Sequence, residues 1–68
     1  MREVAISDGM IRLGQFLKLA DLVDSGSDAR QEIGAGAVRV NGEVELRRGR
    51  QLRPGDVVSL GSESAQVA

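Results

Sequence analysis

The chain has 68 residues, 41% hydrophobic and 28% charged, which bounds it to one small globular unit with a thin stability margin. It has no cysteine, histidine, tyrosine or tryptophan and one phenylalanine, which excludes disulfides, zinc fingers and imidazole catalysis and argues against base recognition by aromatic stacking. The net charge of −1 is unevenly spread: residues 1–29 carry three basic and five acidic side chains (−2), residues 30–53 six arginines against three glutamates (+3), and the remainder Asp56 and Glu63 (−2). A nearly neutral protein with a basic middle third can present a local positive field. No apolar run approaches the roughly 20 residues of a membrane span and no signal-peptide layout opens the chain, so a cytoplasmic protein is expected.

Val4 and Ile6 alternate with polar neighbours and predict a short strand that Ser7-Asp8-Gly9 ends. Helical spacing of apolar residues runs from Ile11 to Val23, with Leu13, Phe16, Leu17 and Ala20 on one stripe, Lys18 pointing away and Arg12 at its edge. Ser25 followed by Asp28 marks the start of a second helix, with Ala29 and Ile33 facing inward and a stop near Gly34 or Gly36. Val38-Arg39-Val40, Asn41-Gly42 and Val44-Glu45-Leu46 predict a β-hairpin. A two-residue turn there sets Val40 opposite Glu43 and Val38 opposite Glu45. Gathering Val38, Val40, Val44 and Leu46 in the core therefore predicts a three-residue loop or a bulge near Glu43, with Arg39 and Glu45 as cross-strand neighbours on the open face. Arg47-Arg48-Gly49-Arg50 is a basic turn, Pro54-Gly55 a turn with positive φ at the glycine, and 57–60 and 65–68 are closing strands. The order is α+β: an N-terminal strand, two short packed helices, then a small, mostly antiparallel sheet in one domain, residues 1–68.

Enzyme chemistry finds little to work with. The remaining candidates are carboxylates, serines and Lys18, in no nucleophile or metal-ligand spacing, and no cofactor or metal is expected. Gly34-Ala35-Gly36 precedes a strand and ends a helix, so it is not a phosphate loop.

The run Ile11-Arg12-Leu13-Gly14-Gln15-Phe16-Leu17, then Ser25, Ala29-Arg30, Ile33, Gly36, Val38-Arg39-Val40-Asn41-Gly42, and Leu52-Arg53-Pro54-Gly55-Asp56-Val57-Val58 resembles the alpha-L RNA-binding domain named after the fourth small-subunit ribosomal protein, the S4 domain. The similarity spans residues 11–58 and is nearest to the small stand-alone, ribosome-associated YbcJ-type members. It implies that the helix pair and hairpin dock on structured RNA, ribosomal RNA foremost and tRNA as the other candidate, in ribosome assembly or as a ribosome-associated factor; a monomer without catalysis is expected. The implied RNA-binding residues are Arg12, Lys18, Ser25, Ser27, Arg30, Gln31, Arg39, Asn41, Arg47, Arg48 and Arg50. Two departures from the family pattern, Gly26 after the capping serine and Gly34 in the second helix, remove potential phosphate contacts. The alternatives are a protein-binding adaptor, or a ubiquitin-like carrier that the Gln66-Val67-Ala68 ending disfavours. The implied partners include neither a membrane nor a small-molecule substrate.

Overall fold

The computed structural model describes residues 1–68. Strand β1 (Arg2–Val4) leads to β2 (Ile11–Arg12), helices α1 (Leu13–Leu19) and α2 (Gly26–Gly34), and strands β3 (Val38–Val40), β4 (Glu43–Val44), β5 (Gln51–Leu52), β6 (Val57–Leu60) and β7 (Glu63–Val67). Five strands form a sheet in the order β1-β7-β6-β3-β4. All its pairings are antiparallel except β1 with β7. The α+β order expected from the sequence is the one observed.

Helix α1 is shorter than the Ile11–Val23 apolar spacing predicts. Ile11 and Arg12 instead pair with Leu52 and Gln51 in a separate two-stranded ribbon, β2–β5, that the sequence pattern did not signal. The ribbon brings the 47–50 turn against the start of α1. Leu13 and Gly14, whose amides have no intrahelical acceptor, donate to the carbonyls of Arg50 (2.8 Å) and Arg48 (3.1 Å). At the other end Asp21 adopts φ 60, and Leu22 and Val23 both donate to the Leu17 carbonyl, so Val23 reaches the core from a turn. The Arg2 guanidinium donates to the Ala20 carbonyl, a cation at the negative end of the helix.

Helix α2 begins and ends as its sequence predicts. The Ser25 hydroxyl accepts the Asp28 amide at 3.1 Å. Gly36, at φ +77, donates to Ile33 and Ala37 to Glu32, a glycine-terminated exit that satisfies the last carbonyls. A helix of nine residues is unstable alone and is held by burying Ala29 and Ile33 against α1 and the sheet. The core is Leu13, Phe16, Leu17, Ala20, Val23, Ala29, Ile33, Val38, Val40, Leu52, Val58, Ala65 and Val67. No helix is long and apolar enough to cross a membrane.

The hairpin corrects one expectation. Asn41 (φ 52) and Gly42 (φ 86) make a two-residue turn, with Val40 opposite Glu43 and Arg39 opposite Val44; there is no three-residue loop and no bulge near Glu43. Two adjacent positive-φ residues give the turn whose twist matches the flanking strands, and that local preference fixes the register. The hydrophobic pattern yields. Val44 and Leu46 are exposed, at 47% and 63%, so Leu46 is not a core residue, while Glu45 turns inward at 6%. Arg39 and Glu45 are therefore not neighbours on the open face. The Arg39 guanidinium donates instead to the Gly42 carbonyl at 3.2 Å.

The second turn follows its sequence. Gly55 has φ +101, the Asp56 amide donates to the Arg53 carbonyl, and the Asp56 carboxylate accepts the Arg53 amide at 2.9 Å.

Candidate nucleic-acid interface

Where α1, the start of α2 and the 47–50 turn meet, they enclose an open cleft of about 330 Å³. Its lining is Arg12, Gly14, Gln15, Lys18, Gly26, Ala29, Arg30, Arg48 and Gly49. Four of the nine are cationic and none is acidic, in a chain whose net charge is −1. The cations come from four different elements: Arg12 caps α1 from β2, Lys18 closes its last turn, Arg30 stands on the exposed side of α2, and Arg48 sits in the turn. Three glycines keep the floor low. At Gly14 an added Cβ would stand 2.9 Å from Arg48 Cγ, and at Gly26 it would reach Lys18 Nζ at 4.0 Å. Lys18 thus lies over the positive end of α2, where like charge opposes the helix dipole. An anion placed between them would relieve that repulsion. Gly26 places no side chain between Lys18 and the first turn of α2.

Of the eleven residues implied by the resemblance, the structure brings Arg12, Lys18, Arg30 and Arg48 together in this cleft. Ser25 and Ser27 lie beside it in the first turn of α2, with the Ser25 hydroxyl already committed to its cap. Gln31 is on another face of α2, by a shallow depression with Leu22, Asp24, Asp28 and Glu32. Arg39 is at the hairpin. Asn41 lies at the hairpin turn, away from the cleft, where its Nδ2 donates to Asp56 Oδ1 at 3.1 Å and its Oδ1 accepts the Val57 amide at 2.9 Å.

Arg47 and Arg50 are held by Glu45. Glu45 Oε2 accepts the Arg47 amide and Nε, both at 3.0 Å, while Oε1 accepts Arg47 Nη2 at 3.2 Å and Arg50 Nη1 at 3.0 Å. Hydrogen bonds from Arg47, then from Arg50, outweigh burial and lower the Glu45 carboxyl from 4.5 to about 2. The same contacts raise the pKa of Arg47. Asp56 is lowered as well, by the Arg53 amide first and Asn41 second.

The cleft also uses residues that the sequence reading did not single out as site residues. Gln15 lines it while accepting the Arg12 amide at 3.4 Å. Gly14 sits in the helical pattern beside the stripe of Leu13, Phe16, Leu17 and Ala20, and an isolated glycine inside a helix is the available sequence signal for a packing reason.

The S4 domain family matches residues 4–68. The chain is 49% identical over 65 residues to a Bacillus subtilis protein named probable ribosome maturation protein RlbA, covering 94% of this chain and 92% of that one. It is 37% identical over 57 residues to the putative RNA-binding protein YbcJ of Escherichia coli, covering 84% and 81% respectively. The solution structure of Escherichia coli YbcJ, described as revealing an alpha-L motif involved in RNA binding, is similar with a TM-score of 0.76 at 32% identity, covering 100% of this chain and 87% of that one. The ribosomal protein S4e of Thermoplasma acidophilum shares the fold, with a TM-score of 0.64 at 22% identity over 85% of this chain and 31% of that one.

Proposed function

This chain belongs to the S4 domain family, and on that premise we propose that it is a non-catalytic RNA-binding protein that docks its cationic cleft on structured ribosomal RNA during ribosome maturation. The observation that carries the reading is the convergence of Arg12, Lys18, Arg30 and Arg48 on a glycine floor free of acidic side chains. Such a surface fits a phosphodiester backbone: guanidinium groups pair with phosphate oxygens, and the low floor admits the backbone closely. With Phe16 buried, no aromatic ring is available to stack a base, so recognition rests on phosphates, 2′-hydroxyls and the shape of a folded RNA. The names of the two relatives, one for ribosome maturation and one for RNA binding, support the same reading. tRNA offers the same phosphate chemistry and is the second candidate ligand. The cleft holds no carboxylate to act as a general base and offers only Lys18 as a nucleophile, which supports binding without catalysis.

Salt titration tests this. The logarithm of RNA affinity falls linearly with the logarithm of salt, by roughly 0.7–0.9 for each phosphate neutralised. Lys18→Ala with Arg30→Ala should flatten that slope by up to about two such steps without lowering the melting temperature. A slope unchanged by the pair removes the cleft from the RNA interface.

A further inference from the structure

We propose that Glu45 is the positioning residue of this interface: it clamps the 47–50 turn so that Arg48 is the arginine the turn presents to RNA. The inference rests on the RNA-binding reading above. The two-residue hairpin turn forces Glu45 inward, opposite Val38, to whose carbonyl its own amide donates at 3.0 Å. There its two carboxylate oxygens take four donors, three from Arg47 and one from Arg50. The two arginines that flank Arg48 therefore already have a counter-ion, and the Arg50 side chain is only 31% exposed.

Arg48 has no ion-pair partner within the protein, because only Arg47 and Arg50 form salt bridges. Its place is set through the backbone: its carbonyl accepts the Gly14 amide, the Arg50 carbonyl accepts the Leu13 amide, and its side-chain stem lies on Gly14. The turn is thus fixed on one side by Glu45 and on the other by α1, and of its three arginines only Arg48 brings an unpaired guanidinium to the cleft. Three arginines close in sequence acquire two roles, and the carboxylate decides which has which. A glutamine at position 45 would fill the same space and still accept the Arg47 amide, but without the charge that holds two guanidinium groups.

A double-mutant cycle on the full chain tests the assignment, with fragmented ribosomal RNA as the probe and a melting temperature for every variant. Arg48→Ala should weaken binding about tenfold in the wild type and by less than about threefold in the Glu45→Gln background, where the turn is fixed on the α1 side alone and Arg47 and Arg50 are released from their counter-ion. Arg30→Ala, on α2, should cost the same in both backgrounds. Equal losses for Arg48→Ala in both backgrounds overturn the proposal. Should Glu45→Gln fail to fold, Arg50→Met, which severs only the second ion pair and leaves the three Arg47 contacts, carries the same comparison, with the loss for Arg48→Ala falling between the two values above and an undiminished loss of about tenfold overturning the proposal. If neither Arg30→Ala nor Arg48→Ala weakens the wild type, the RNA-binding reading itself fails, and the proposal with it.

Discussion

The amide of Gly14 donates to the carbonyl of Arg48 at 3.1 Å, and the position a Cβ would take on Gly14 lies 2.9 Å from Arg48 Cγ. The first turn of α1 and the basic turn are therefore in van der Waals contact through the one residue type that allows it. Any larger side chain at position 14 must displace Arg48 or the helix. Gly14→Val should cost about 1–3 kcal/mol in urea denaturation, through overpacking and a β-branched side chain in a helix. It should also weaken RNA binding, because Arg48 is pushed from the cleft. A variant as stable as the wild type would show that this contact is loose.

The Glu45 carboxyl titrates at about 2 in the folded protein against an ordinary value of 4.5. A depressed folded-state pKa contributes stability that is complete above the unfolded value and lost as pH falls through the folded one. Stability should therefore decline from about pH 4.5 towards pH 2, with Asp56, also lowered, adding to the loss at the acid end. The difference in stability between the wild type and Glu45→Gln should shrink over this window. A difference that stays constant from pH 6 to pH 2.5 would mean that Glu45 makes no such contribution.

Asn41 ties the hairpin turn to the start of β6 through Asp56 and Val57 while holding φ 52. Asn41→Ala loses both side-chain bonds and places an alanine in the left-handed region, for an expected cost of about 2–3 kcal/mol in chemical denaturation. Asn41→Gly, which keeps the backbone freedom, should cost less. The salt slope of RNA binding should be unchanged in Asn41→Gly, since the amide group is turned towards the protein.

Leu17 and Leu46 are the same residue type with opposite environments, 0% and 63% exposed. Leu17→Ala should cost about 2–5 kcal/mol, enough to unfold a domain of this size, whereas Leu46→Ser should stay within about 0.5 kcal/mol of the wild type. Thermal melts of the two variants measure both. A large loss at Leu46 would contradict the two-residue hairpin register.

Much of this protein is dictated locally. The Ser25 cap with Asp28, the Gly36 exit, the Pro54-Gly55 turn and the stripe of Leu13, Phe16, Leu17 and Ala20 each follow from hydrogen bonding or side-chain spacing within a few residues, so the helices and their buried faces are readable from the chain. Local chemistry even decided the hairpin: Asn41-Gly42 favoured its own tight turn, and the hydrophobic pattern of Val44 and Leu46 was the weaker signal. What composition and spacing do not contain is the meeting of distant segments. The β2–β5 ribbon joins residues about forty positions apart and thereby carries Arg48 to Gly14, Lys18 and Arg30. Ion pairing then sorted the arginines, because an inward Glu45 needs counter-charge and takes it from Arg47 and Arg50. A basic middle third was evident in the sequence, but which of its charges remain free was settled only when the chain closed around one carboxylate.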